Sequence, residues 1–270
     1  IPYNKQSIDE EDIQSVINVL RSDLITTGPE AEKFEKNIAA YCDVSYALVC
    51  SNATSALQIV LEALNIGPKD YVVSSTISFV AGANATRQVG AEIYFCDVDL
   101  ETGNLNFEYL EKILKENKNI KVVMPVHLAG IPVNMERLQA LSKTYKFKIL
   151  EDACHALGGG YWDKNNDYNK IGNCKHSDVA VFSFHPIKNI TTGEGGAITT
   201  NDKKLYQKML LLRNHGITRD ENKFINKDMA YTENEGLTEL NKWYYEMHHL
   251  AHNFRLTDFQ CALGNSQLKK

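Results

Sequence analysis

No Cys-x-x-Cys pair occurs in this chain. Its six cysteines, at positions 42, 50, 96, 154, 174 and 261, are scattered. Several fall in segments that read as strands or helices, so reduced, mostly buried thiols in a cytoplasmic protein are expected. No apolar run is long enough to span a bilayer, and the first residues carry no signal-peptide pattern, so no membrane association is expected. Positive charge is not in excess. The formal net charge is −5, which argues against nucleic acid or an anionic membrane as partner. Internal repeats and low-complexity segments are lacking too. Apolar residues are plentiful: 43% of 270, enough to build a substantial core in one large domain or two small ones.

Hydrophobic periodicity orders the chain. Ser7 with Glu10 has the spacing of a capping box before a helix to about Arg21. Pro29 opens a second helix to about Tyr41. Strands are then expected at 46–50, 71–75, 92–98, 121–127, 147–152, 178–184 and 197–200. Helices are expected at 54–65, 79–89, 107–116 and 135–146. Continuous apolar strands alternating with amphipathic helices imply an α/β fold, a mostly parallel central sheet covered on both faces, hence three α/β/α layers. Residues 220–245 are polar and without a clear period, and read as a long connection or lid. Thr257 with Gln260 starts a last helix, inside which the chain stops at Lys270.

Four constellations carry chemistry. Lys188 lies just past a buried strand, in Ser183-Phe-His-Pro-Ile-Lys188, before a Gly-rich turn. A desolvated lysine loses its charge more easily and can attack a carbonyl to form an imine. Ser51-Asn-Ala53-Thr54 follows a strand and begins a helix, which suits a phosphate, although the same residues suit an ordinary N-cap. Asp152 closes a strand where open α/β sheets place ligands, and His155 follows within reach. Its carboxylate could hold a ring nitrogen positive. Phe79 could stack on a flat ring, or simply fill the core. Phosphate cradle, carboxylate, stacking aromatic and imine-forming lysine are together the parts needed for pyridoxal 5′-phosphate (PLP). His248-His249-x-x-His252 has helical metal spacing without an accompanying carboxylate pattern, so no metal is expected. Asp97 and Asp99 suit turn caps, and Gly158–Gly160 lacks dinucleotide-fingerprint spacing.

Over essentially its whole length the chain resembles the DegT-type nucleotide-sugar aminotransferases, fold-type I PLP enzymes. FSFHPIKNITTGEGG is similar to the family's lysine motif, EDACHALGG to its acid-histidine motif, SNATSALQ to its phosphate loop, and HNFRLTDFQCALGNSQLKK to its late Asn-x-Arg motif. IPYNKQSI, RSDLITTGP, RNHGITRD and WYYEM resemble the branch serving pseudaminic acid synthesis. That branch moves an amino group from glutamate to C4 of a UDP-linked 4-keto-6-deoxy-N-acetylhexosamine. The resemblance implies that Lys188 bonds to the cofactor, Asp152 pairs with its pyridinium nitrogen, His155 lies near its phenolic oxygen and Phe79 stacks on the ring. Ala53, Thr54 and Ser183 match phosphate-side contacts. Asn253 matches a residue reaching the neighbouring subunit's site, which implies a homodimer. Tyr3 and the segment Asp23, Leu24, Ile25 and Thr26 match the sugar-nucleotide cleft, to which Ala53, Ser183 and Asn253 also contribute. The implied organisation is a large PLP domain over 1–215, whose helices within 1–45 partly cover the cleft, a connection or lid over 216–252, and the start of a C-terminal region over 253–270. Family members continue past that point, so the C-terminal small domain is expected to be largely absent. A same-family enzyme making 4-amino-4-deoxy-arabinose, and an inactive PLP-binding module, stay open as alternatives.

Overall fold

The computed structural model describes residues 5–234 and 237–270. The first helix, α1 (Glu10–Leu20), is capped by Asp9, whose side chain takes the Asp12 N–H while Asp12 takes that of Asp9. The Ser7–Glu10 box is therefore corrected. Acids crowd residues 9–12, and a carboxylate caps as well as a hydroxyl. Helix α2 (Pro29–Cys42) has proline in its first turn, where no N–H is missed.

Strands and helices then alternate: β1 (Tyr46–Cys50), α3 (Ala53–Ala63), β2 (Tyr71–Ser75), α4 (Ala81–Gln88), β3 (Glu92–Cys96) and α5 (Phe107–Glu116). There follow β4 (Ile120–Met124), α6 (Met135–Tyr145) and β5 (Lys148–Asp152). A small hairpin, β6 (Gly160–Trp162) with β7 (Tyr168–Lys170), precedes β8 (Val179–Ser183), β9 (Gly196–Thr200) and α7 (Lys203–Arg213).

Seven strands form one sheet in the order β1-β9-β8-β5-β4-β2-β3. Only β9 runs against the others, pairing antiparallel with β1 and β8. The remaining pairs are parallel. Residues 184–195 join β8 to β9 without a helix, and so short a link suits antiparallel neighbours. Period-2 alternation splits each apolar strand between two cores. Leu48, Cys50, Val122, Met124, Leu150, Val179 and Val181 pack under α3, α4 and α7. Ala47, Val49, Ala180 and Phe182 pack under α2 and the last helix, while Val73, Val123 and Ile149 pack under α5 and α6. Each buried Leu, Ile, Val or Phe contributes about 1.5–3 kcal/mol, which is what makes the three layers one unit.

Residues 217–247 hold more regular structure than expected. They contain β10 (Ile217–Thr218), the short helix α8 (Lys227–Ala230), a hairpin of β11 (Tyr231–Asn234) with β12 (Leu237–Leu240), and β13 (Glu246–Met247), which pairs with β10. Strands of two to four residues are too short to show a period. The last helix, α9 (Asp258–Gln267), does open on the Thr257–Gln260 capping box, but it ends before Lys270, with Leu268 as its C-cap. It is tied to α1 through Gln267 and Lys270, which both donate to Asp12, at 2.6 and 2.8 Å.

Candidate active site

The C-terminal ends of the parallel strands open on a cavity of about 480 Å³. Each strand end delivers a side chain by the register of the sheet. After β1 come Asn52, Ala53 and Thr54, after β2 Phe79, and after β4 Val126. Strand β5 ends on Asp152, with Cys154 and His155 beyond, and β8 ends on Ser183, with His185, Ile187, Lys188 and Glu194 in the following loop. Seven residues singled out from the sequence therefore meet in one place: Ala53, Thr54, Phe79, Asp152, His155, Ser183 and Lys188.

Local chemistry fixes the arrangement. Asn52 caps α3 by taking the Ser55 N–H at 2.8 Å on its side chain and the Ala56 N–H at 3.1 Å on its carbonyl. The N–H groups of Ala53 and Thr54, which a helix cannot bond internally, stay at the cavity wall. Gly196 lets this loop approach the sheet: a Cβ there would lie 2.7 Å from the Ala53 nitrogen and the Asn52 carbonyl carbon. Asp152 is buried, and its Oδ1 takes the Cys154 N–H at 3.1 Å.

The lysine loop is closed by Phe184, whose N–H donates to Gly195 at 2.8 Å and whose carbonyl takes the Thr192 N–H at 3.0 Å. The Lys188 N–H donates to the His185 carbonyl at 2.9 Å, a turn that sets the half-buried lysine at the cavity. Burial first, and the Lys188 charge second, hold the His155 imidazole below its ordinary 6.5. Burial, reinforced by the Asp152 charge, pushes the Cys154 thiol well up, so it stays protonated. Phe79 is 71% exposed and offers a bare aromatic face rather than core packing.

Other residues named from the sequence lie outside this cavity. Asn253 is exposed and bridges to Asn214. Asp23, Leu24, Ile25 and Thr26 are exposed, on a segment pinned to α9 where Asp258 donates to the Ile25 carbonyl at 3.0 Å. Tyr3 lies outside the described residues. Asp99 caps its own turn by taking the N–H groups of Glu101 and Thr102, and His248 pairs with Glu246 at 2.8 Å. Among the described residues no cluster could hold a metal ion, and no helix is long and apolar enough to cross a membrane. Sequence reasoning missed His185, Ile187, Glu194, Val126 and Ala81 as lining residues. The first three stand in the lysine motif itself, where position within a strand-end loop was the available signal.

The model of the DegT/DnrJ/EryC1/StrS aminotransferase family matches residues 6–270. The chain belongs to that family. A Campylobacter jejuni UDP-4-amino-4,6-dideoxy-N-acetyl-beta-L-altrosamine transaminase is 36% identical over 271 residues, spanning 100% of this chain and 64% of the relative. Helicobacter pylori PseC, an aminotransferase of pseudaminic acid biosynthesis, superposes with a TM-score of 0.83 at 34% identity, covering 100% of this chain and 65% of that one. The PLP form of a Streptococcus pneumoniae protein superposes with a TM-score of 0.82 at 28% identity, covering 100% and 66%. The fold is that of PLP-dependent aminotransferases. The chain spans about two thirds of the length of these relatives.

Proposed function

We propose that this chain is the cofactor-binding part of a PLP-dependent sugar-nucleotide aminotransferase. Its substrates would be glutamate as amino donor and a UDP-linked 4-keto-6-deoxy-N-acetylhexosamine as acceptor at C4. The observation that carries this reading is the meeting of Lys188, Asp152, His155, Phe79 and the α3 N-terminus on one cavity. The names of the Campylobacter and Helicobacter relatives support the choice of sugar.

The residues fit PLP. A free helix N-terminus with a glycine-permitted close approach suits a phosphate, and a buried carboxylate across the same cavity suits a pyridinium. When bound, PLP supplies an aldehyde for the amino group and a ring that draws electrons from the carbon being deprotonated. Ala53, Thr54 and Ser183 would hold the phosphate. Asp152 would hold the ring nitrogen protonated, and Phe79 would cover the ring face. Lys188 would bond to the aldehyde, and its freed amine would carry a proton at Nζ between the substrate carbon that bears the nitrogen and the cofactor carbon of the former aldehyde. That task needs an uncharged amine. His155, held neutral, would hydrogen-bond near the ring oxygen.

Asn253 would act across a homodimer interface, and its exposure in the single chain agrees with that role. Asp23, Leu24, Ile25, Thr26 and Tyr3 are assigned to the sugar-nucleotide cleft, together with Ala53 and Ser183. An absorbance scan of protein loaded with PLP, before and after glutamate, tests the reading. A yellow protein that bleaches is expected. A protein that stays colourless with PLP, or is unchanged by glutamate, overturns it.

A further inference from the structure

The face of the sheet opposite the cavity carries a buried polar pair that the proposed reaction does not use. Alternation along β5 sends the Asp152 side chain to the cavity and the Glu151 side chain the other way. There Glu151 meets His127, which is 0% exposed, at 2.8 Å between Oε2 and Nε2. The Ser177 hydroxyl donates to the second carboxylate oxygen. His127 Nδ1 takes the Val133 N–H at 3.1 Å. A ring nitrogen that accepts carries no proton, so the proton of this neutral ring sits on Nε2 and is donated to Glu151. The bond to Val133 closes the loop 127–133, in which Ala129 and Gly130 take positive φ of 51° and 85°.

The loop this imidazole closes and the backbone of His127 both lead back to the cavity. The closed loop presents the Ala129 N–H to His155 Nδ1 at 3.4 Å. It also packs so closely that a Cβ on Gly130 would lie 3.3 Å from the His155 carbonyl oxygen. On the strand side, the backbone N–H of His127 donates to the Asp152 carbonyl at 3.1 Å and the backbone N–H of Asp152 to the Pro125 carbonyl at 2.9 Å. We propose that His127 and Glu151 are positioning residues. From behind the sheet His127, through its bond to Val133, fixes the ring orientation and Nε2–H tautomer of His155, while Glu151 orients the His127 ring. Their catalytic consequence rests on the PLP reading; their effect on His155 does not.

Two variants separate the two contacts of the imidazole. His127→Gln places an amide N–H near the Nε2 position, keeping Glu151 and losing the acceptor for Val133. His127→Asn places an amide oxygen near Nδ1, keeping Val133 and losing Glu151. Nitrogen-15 NMR of cofactor-free protein reads the tautomer of each histidine. In the unmodified protein His127 and His155 should both show a bare Nδ1 and a protonated Nε2. His127→Gln should move the His155 nitrogens toward a mixed tautomer, and His127→Asn should leave them in place. On the PLP-loaded enzyme His127→Gln should lower kcat by about a hundredfold, the scale of a small misplacement near reacting atoms. Unchanged His155 nitrogens in folded His127→Gln would overturn the proposal, as would an Nδ1-protonated or doubly protonated His127 in the unmodified protein, a measurement that needs no variant. A protein that binds no PLP, yet shows the His155 change, would refute the functional reading and leave the positioning role standing.

Discussion

The N–H of Cys154 donates to Oδ1 of Asp152 at 3.1 Å, so the backbone two residues on fixes the carboxylate at the end of β5. An amide at position 152 can accept the same bond. Charge and geometry at this position are therefore separable.

Asp152→Asn should keep the fold and the cavity while removing the negative charge. We expect kcat to fall by about 10²–10³-fold, the scale seen when one preorganised electrostatic contact is removed. Thermal melting should change little. Steady-state kinetics alongside a melting curve would check this, and near-normal turnover would argue against a pyridinium partner at this position.

Gly196→Ala puts a methyl group 2.7 Å from backbone atoms of Asn52 and Ala53, which cannot swing aside. Overpacking of this kind costs about 1–3 kcal/mol. The displaced loop carries the proposed phosphate site. Denaturant melts should show the stability loss, and PLP titration should show weaker binding. Full PLP affinity in a folded Gly196→Ala protein would disconnect the α3 N-terminus from the phosphate.

Titration of His155 in cofactor-free protein should give a pKa below 6.5, with burial the larger cause and Lys188 the second. Lys188→Met should raise it part of the way back. The sign for stability follows: the unfolded chain binds this proton more readily, so the native state loses stability as pH falls from 6.5 to the lower folded value. NMR chemical shifts against pH read both effects.

A second acid-sensitive point lies far from the cavity. Glu246 is buried, which alone would raise its carboxyl. Hydrogen bonds from His248, the Ile225 and Asn226 N–H groups and the Tyr244 hydroxyl outweigh burial and hold it at about 2, against 4.5 ordinarily. A depressed carboxylate lends stability that is full above 4.5 and lost as pH falls toward 2. Hydrogen-exchange protection in residues 217–234 and 237–248, corrected for the intrinsic pH dependence of exchange, should therefore fall over that interval. Glu246→Gln should flatten the dependence.

Much of this was legible beforehand, and the reasons differ by element. Strands such as Tyr46–Cys50 and Tyr71–Ser75 are apolar on both faces and bounded by polar turns, so both came out with matching ends. Helix Phe107–Glu116 has one strong apolar stripe and came out likewise. Asp152, Ser183 and Lys188 were visible because strand ends are where an open sheet gathers ligands. The hairpin of Tyr231–Asn234 with Leu237–Leu240 was hidden, since strands of four residues are too short to show a period. The His127–Glu151 pair was hidden for another reason. Those residues are 24 apart, and only the parallel neighbourhood of β4 and β5 brings them together. Asn253 and the segment 23–26 lie outside the cavity of the single chain, which is why their proposed roles depend on a second subunit or on substrate.

The central claim is that the amine of Lys188 is the group that bonds to PLP. Borohydride reduction of the PLP-loaded protein, followed by peptide mass spectrometry, tests it most directly. The account predicts a stoichiometric adduct on the peptide carrying Lys188, lost in Lys188→Ala. An adduct scattered over other lysines, with residue 188 unmodified, would contradict it.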